Sequence, residues 1–257
     1  SFAPLDKGVP LSGTVTSESN RKSVQHLSGG IVSDILVREG DAVKQGQVLV
    51  RMNDVQARSQ ADVTRVQYVN ARATEARLRA ELEGKKTLAV PPSLEPIKND
   101  PRVAASIALQ NSLLVSRQSA LQAELGALDE NVAGLKMQTA GLQESRDSKK
   151  QQMAILKEQL DNMRDLAREG YVARSRLLEI ERTYAQTSGM LSEDIGNIGR
   201  AQRQVMEMAL RRTQRQQEYQ KEVRSTLSEA EREAEALSCR MTALEFDLAN
   251  AEVRAPV

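Results

Sequence analysis

A ladder of apolar residues with a strict seven-residue period runs through the middle of this 257-residue chain. Ile107, Leu114, Leu121, Leu128, Leu135, Leu142, Leu156 and Met163 occupy its rungs, and only Lys149 interrupts it. Leu125, Val132, Met153 and Leu160 stand four residues after rungs and widen the stripe. A repeat of this period lays an apolar seam along one side of a helix, and the seam is stable only when another helix covers it. The spacing predicts an outgoing helix over 104–168.

A second ladder supplies the cover. Leu177, Tyr184, Leu191, Ile198, Val205, Arg212 and Tyr219 repeat with the same period. After a one-residue slip Leu227, Ala234, Met241 and Leu248 continue it, flanked by Val223, Ala230, Leu237 and Leu244. Between the ladders Gly170 is placed as a left-handed helix cap and Ser175 as the N-cap of the next helix. Two seams joined by a turn over 169–175 predict an antiparallel helical hairpin whose return arm covers 176–249. At 1.5 Å per residue the outgoing helix would measure about 97 Å and the return, taken over 174–250, about 115 Å, a long rod.

Upstream, residues 55–83 lack Gly and Pro and are rich in Ala, Arg and Glu, the composition of a helix that Gly84 ends. The stretch 84–103 carries Pro91, Pro92, Pro96 and Pro101 and must break the chain's course. Together the first two helices outnumber the return arm, so 55–83 is expected to fold alongside the hairpin's base as a short three-helix section. Residues 1–54 are different again: 13–16, 23–27, 31–37 and 47–52 have strand character. Ile35, Val37, Val48 and Val50 are expected on one buried face, with Glu39, Gly40 and Asp41 as the turn between the last two strands.

Composition excludes several functions. Six aromatic residues, none of them Trp, suit paired helices better than the core of a compact enzyme. Thirty-six basic against thirty-five acidic residues leave a net charge of +1 and no general attraction to nucleic acid or anionic lipid. The Arg and Gln of 200–217 are interrupted by Glu218 and Glu222 and lack aromatic residues for base stacking, so no nucleic-acid partner is expected. One His and one Cys exclude a zinc cluster and an intrachain disulfide, and no nucleotide-binding or hydrolase motif is present. No catalytic, cofactor-binding or metal-ligating residue is therefore expected. His26 reads as a strand residue making one hydrogen bond, and Cys239 as a small apolar packer near the returning seam. No run approaches the roughly 20 apolar residues that cross a bilayer. The chain opens on Ser1-Phe2 and closes on Ala255-Pro256-Val257 within what reads as a strand, as an excised piece would.

Charges near the seam carry two readings. With the turn near Gly170, residues whose numbers sum to about 341 lie opposite each other. That sets Arg212 against Asp129 and Glu130, and Arg146 against Asp194. These, with Lys149, either pin the register or simply reach water at the seam's edge. Gly141 faces Gly199 by the same rule, and with Gly134, Gly189 and Gly196 it marks a close approach of the arms, a waist for another chain, or pliability alone.

The segment Gly29-Gly-Ile-Val-Ser-Asp-Ile-Leu-Val-Arg-Glu-Gly-Asp-Ala-Val-Lys-Gln-Gly-Gln-Val-Leu-Val-Arg-Met52 resembles the first half of a biotinyl/lipoyl-like β-sandwich. Ala251-Glu-Val-Arg-Ala-Pro-Val257 is similar to the opening of its second half, so 250–257 reads as the start of that half. A lipoyl-like domain split by a helical hairpin is the hallmark of periplasmic adaptor, or membrane fusion, proteins. Ala3-Pro-Leu-Asp-Lys-Gly-Val9 and Val24-Gln-His-Leu-Ser-Gly-Gly-Ile-Val32 are similar more narrowly to the HlyD branch serving type I secretion of proteases and lipases. The resemblance implies a mainly α, elongated α+β fold: a long antiparallel coiled-coil hairpin inserted in a split lipoyl-like β-sandwich.

It also implies an inner-membrane ABC transporter and a TolC-type outer-membrane channel as partners, a secreted protein as cargo, and a homo-oligomeric ring of six adaptors. The implied location is the periplasm, with a transmembrane helix upstream in the inner membrane. Family hairpin tips carry an Arg, a Leu four residues later and a Ser seven beyond that, which engage the channel. Laid on this turn, the pattern gives Leu166 for the Leu, but Asn162 and Ala173 where Arg and Ser are expected. Arg164, Arg168, Arg174 and Ser175 are the neighbouring substitutes. A structural coiled-coil arm with no secretory role would show the same ladders but not the split half-motifs.

Overall fold

The computed structural model describes residues 21–256. In chain order these form β1 (Val32–Ile35), β2 (Val48–Met52), α1 (Val55–Glu83), a 3-10 turn (Glu95–Ile97), α2 (Pro101–Arg168), α3 (Arg174–Ala249) and β3 (Glu252–Arg254). The described residues divide into two compact units, one of 21–67 with 236–256 and the other of 68–235.

The first unit is organised by a three-stranded antiparallel sheet in the order β1-β2-β3. The strand in its middle is β2. Val32 and Ile35 pair with Met52 and Val50, while Val50 and Arg51 pair on the other side with Val253 and Glu252. Reciprocal bonds from Gly46 N–H to Ala255 O and from Ala255 N–H to Gln47 O, both 2.9 Å, extend the second pairing. A strand from the far end of the sequence therefore completes the sheet begun by the first fifty residues. The Asp41 carboxylate accepts from the Arg38 N–H at 2.8 Å and shapes the turn leading toward β2.

Several expectations need correction here. Residues 23–27 form no strand, and 13–16 lie outside the described residues. His26 is accordingly not a strand residue; its Nδ1 accepts the Ser28 N–H at 3.3 Å, and its Nε2 is buried without a partner among the described residues. Ile35 is 72% exposed, whereas Val37, Val48 and Val50 are half-buried. The reason is that β1 is an edge strand, and all four of its residues are open to solvent. Cys239 is exposed rather than packed. It stands two residues beyond Leu237, roughly 200° around the helix from that rung.

In the second unit the part of α1 from residue 68 onward is enclosed on most sides, and small side chains let its neighbours come close. Ala76 and Ala80 pack with Leu88 and Leu114, and Leu78 packs with Tyr219, Val223 and Ala230 of α3. Val69 packs with Leu94 and Val103. The result is a three-helix section, with the Pro-rich stretch as a strap over it. Leu94 is fully buried, and the Leu88 N–H donates to Asn111 Oδ1 at 2.9 Å. The strap closes on Asp100, whose side chain accepts from the Arg102 N–H, and Pro101 takes the first helical position. That is where proline costs a helix nothing, so α2 begins three residues before the periodicity predicts.

Beyond this section α2 and α3 pair alone. Every rung of both ladders is buried or half-buried, Lys149 and Arg212 included. Two helices cover each other on one side only, which leaves most rungs half-buried.

The helical glycines do not mark a close approach of the arms. A Cβ added at Gly134, Gly141, Gly189, Gly196 or Gly199 would meet nothing within 4 Å. Alanine at Gly141 and Gly199 together is therefore expected to stabilise the helices by about 2 kcal/mol, from roughly 1 kcal/mol per glycine removed. Urea unfolding of the double variant checks this, and a lower midpoint would mean that the backbones do meet there.

Candidate partner-binding turn and the contacts that set it

The turn between α2 and α3 is built from backbone bonds. Gly170, with φ of 84°, takes the left-handed conformation that ends α2. The Tyr171 N–H donates to Leu166 O at 2.9 Å, and the Gly170 N–H to Ala167 O at 3.2 Å. This pair of bonds is the Schellman arrangement, and it satisfies carbonyls that the helix end would otherwise leave open. Ala173 O then accepts the N–H groups of Arg176 and Leu177. The return helix thus starts at Arg174, and Ser175 lies within its first turn instead of capping it.

Of the residues singled out in the sequence, Arg164 reaches across the hairpin to Glu181 at 3.5 Å and also approaches Asp161 at 3.8 Å. Arg168 pairs with Asp165 of its own helix at 3.6 Å. Arg174 has no ion pair among the described residues, and Ala173, Arg174 and Ser175 are exposed. Leu166 is 40% exposed, and Asn162 is open to solvent. Sequence reasoning passed over Tyr171, which is 78% exposed at the apex. Its scarcity as an aromatic was visible beforehand; its outward placement depends on the left-handed glycine before it.

Polar contacts along the seam fix which residues face each other. Arg212 donates to Asp129 at 2.9 Å, as the pairing rule predicts. Asp194 is held by Lys149 at 2.7 Å and by Ser145 at 2.8 Å, while Arg146 pairs instead with its neighbour Asp147. The rule was therefore one helical turn off at Asp194. Lys149 sits on the ladder itself, so its amine meets the carboxylate inside the seam. These bonds, Lys149 first and Ser145 second, hold the Asp194 carboxyl below its ordinary range.

A second polar cluster ties the three helices together. The Glu81 side chain has no exposed surface. It accepts from Arg77 Nη1 at 2.9 Å and from Arg117 Nε at 2.6 Å. Arg77 Nε donates to Gln110 at 2.6 Å, and the Arg117 guanidinium lies 5.6 Å from the centre of the Tyr219 ring. One buried carboxylate on α1 is thereby shared between its own helix and α2, beside an aromatic ring from α3. Among the described residues no group of His, Cys, Asp or Glu could hold a metal ion, and no helix is long and apolar enough to cross a membrane.

Comparison with known proteins gives consistent matches. Residues 57–246 match a family model described as AprE, long alpha-helical hairpin. The chain is 42% identical over 256 residues to the alkaline protease secretion protein AprE of Pseudomonas aeruginosa, and 43% identical over 256 residues to the proteases secretion protein PrtE of Dickeya chrysanthemi. All of this chain is covered in both alignments, and it spans 59% and 57% of those relatives' lengths. Among solved structures it is similar to the soluble domain of LipC, described as a membrane fusion protein of a type I secretion system. That match has 41% identity and a TM-score of 0.84, covering 93% of this chain and 90% of the other.

Proposed function

We propose, since this chain belongs to the AprE family of long alpha-helical hairpins, that it is the hairpin-bearing part of a periplasmic adaptor for type I secretion. In this reading the adaptor bridges an inner-membrane ABC transporter and a TolC-type outer-membrane channel. It carries no catalytic step of its own. The cargo class is an unfolded protease or lipase, in keeping with the relatives named for protease secretion. Six copies surround the export path, tethered to the inner membrane, with their turns toward the outer one.

The observation that carries the reading is the pairing of β2 with β3. A sheet that is interrupted after β2 and resumed at β3 turns everything between them into one excursion with both feet on adjacent strands. A structural coiled-coil arm requires no such closure. The helices are also long enough to bridge a wide gap, since at 1.5 Å per residue the 68 residues of α2 reach about 100 Å. The outward faces of the hairpin are polar with scattered exposed apolar side chains such as Met137, Ile155 and Met206, which suits both lateral packing between copies and a wet conduit wall.

Deleting the gene is expected to abolish appearance of one extracellular protein while its intracellular pool persists, and the tagged adaptor should co-purify with an ABC transporter. Unchanged secretion of all extracellular proteins, or a purified complex without any transporter, would remove the assignment.

A further inference from the structure

We propose that Tyr171 is the residue by which the turn seats itself in the outer-membrane channel, an inference that rests on the bridging role argued above. The cations around it are largely committed to the chain itself: Arg164 to Asp161 and Glu181, Arg168 to Asp165, and Arg176 to Glu179. Exposed pairs at such distances are weak, so these cations are neither fixed anchors nor free charges. Tyr171 is different. It is 78% exposed, one of four tyrosines in a chain with two phenylalanines and no tryptophan. Its backbone is held by the bond to Leu166 O and by the left-handed Gly170 before it.

In a Schellman turn the residue at this position ordinarily lays its side chain against the apolar residue three from the helix end, here Leu166. Both nevertheless remain open, Leu166 at 40% exposure. An aromatic ring on a rigid turn loses little freedom on docking, and tyrosine is among the residue types that dominate interface energetics. The ring has an apolar body and a hydroxyl at its end. The complementary feature is an apolar slot in the channel wall with an oxygen acceptor at its floor. A carboxylate at the rim would meet Arg174, which has no ion pair among the described residues. The pairs made by Arg164 and Arg168 are long and exposed, so they break at little cost and position neither guanidinium in advance.

The test uses the full-length adaptor in cells that secrete, with a photocrosslinking amino acid placed singly at Tyr171, at Ala173 and, as a control away from the turn, at Met206. Channel capture is then measured for Tyr171→Ala and Tyr171→Phe. The expected result is crosslinking to the channel from 171 and 173 but not from 206. Tyr171→Ala should reduce capture and secretion at least tenfold, with transporter association unchanged, whereas Tyr171→Phe should stay within about threefold of the parent. Crosslinking from 173 together with a Tyr171→Ala variant that captures the channel normally would overturn the role of Tyr171 and leave turn docking intact. Absence of channel crosslinks from both turn positions would overturn turn docking, and the role of Tyr171 with it.

Discussion

Replacing Glu81 by alanine is expected to cost about 3–5 kcal/mol in the three-helix section, the range found when one partner of a buried ion pair is removed. The Glu81 side chain is wholly buried, and the Arg77 side chain keeps only 11% of its exposure. Without the carboxylate the buried Arg77 retains only Gln110, while the more open Arg117 keeps Glu222 at 3.3 Å. Glu81→Gln should cost less, because an amide oxygen still accepts one bond, but its NH2 meets a second donor. Hydrogen exchange is the suitable measurement, since long paired helices need not unfold as one unit. Amides of α1 and of the strap should lose protection in Glu81→Ala while those near the turn keep theirs. Unaltered protection in α1 would show that apolar packing alone holds it.

The same cluster sets an alkaline limit. Burial, then the neighbouring Glu81 charge, push the Tyr219 phenol up to about 12. An unfolded tyrosine ionises near pH 10. Below that value the phenol is neutral in both states and pH has no effect through it. From about pH 10 to about pH 12 only the unfolded chain releases the proton, so stability falls as pH rises through this window. Tyr219→Phe should flatten that limb while keeping the ring's packing against Leu78 and Val223.

The layer formed by Lys149, Asp194 and Ser145 is expected to act on register more than on stability. Either Lys149→Met or Asp194→Leu alone should lower the melting temperature by several degrees, since each strands a charge within the seam. Replacing both by leucine should recover the loss or exceed it, because an apolar layer fills the gap left in the ladder. The cost should appear as slippage: disulfide trapping with paired cysteines, in a Cys239→Ser background, should yield the native pairing alone in the parent and a heptad-shifted pairing as well in the double variant. A double variant trapped only in the native pairing would mean that the turn alone sets register.

Acid titration gives an independent check. The Asp194 carboxyl is held below its ordinary value by Lys149 and Ser145, so its contribution is complete above an unfolded value of about 3.9 and is lost as pH falls toward the lower folded value. Asp194→Asn should remove that part of the acid limb.

How much of this was legible in the sequence follows from distance along the chain. The ladders needed only local period, and every rung lies in or at the seam. The cluster at Glu81 was not legible. On α1 that residue reads as one more solvated helical charge, paired to Arg77 four positions earlier. Only the crossing of three helices buries it beside Arg117 and Tyr219. The error at Asp194 has a similar origin, because residues three apart share a helix face and a pairing rule cannot choose between Arg146 and Lys149. Cys239 was misplaced for the opposite reason, since proximity to rungs in sequence is not proximity around the helix. The site at the turn was legible as a place and not as a set of residues, for backbone bonds decide which side chains project.

The attachment of the hairpin has a mechanical corollary. β2 ends at Met52 just before α1 begins, and β3 starts at Glu252 just after α3 ends, with Arg51 and Glu252 opposite each other. Both helical legs thus grip the same end of two adjacent strands. A force that spreads those legs apart loads the strand pair by peeling, one bond after another, instead of shearing all of its bonds at once. Spreading is the motion this joint resists least, whereas a pull or a thrust shared equally by both legs moves the two strands together and leaves those bonds unstretched.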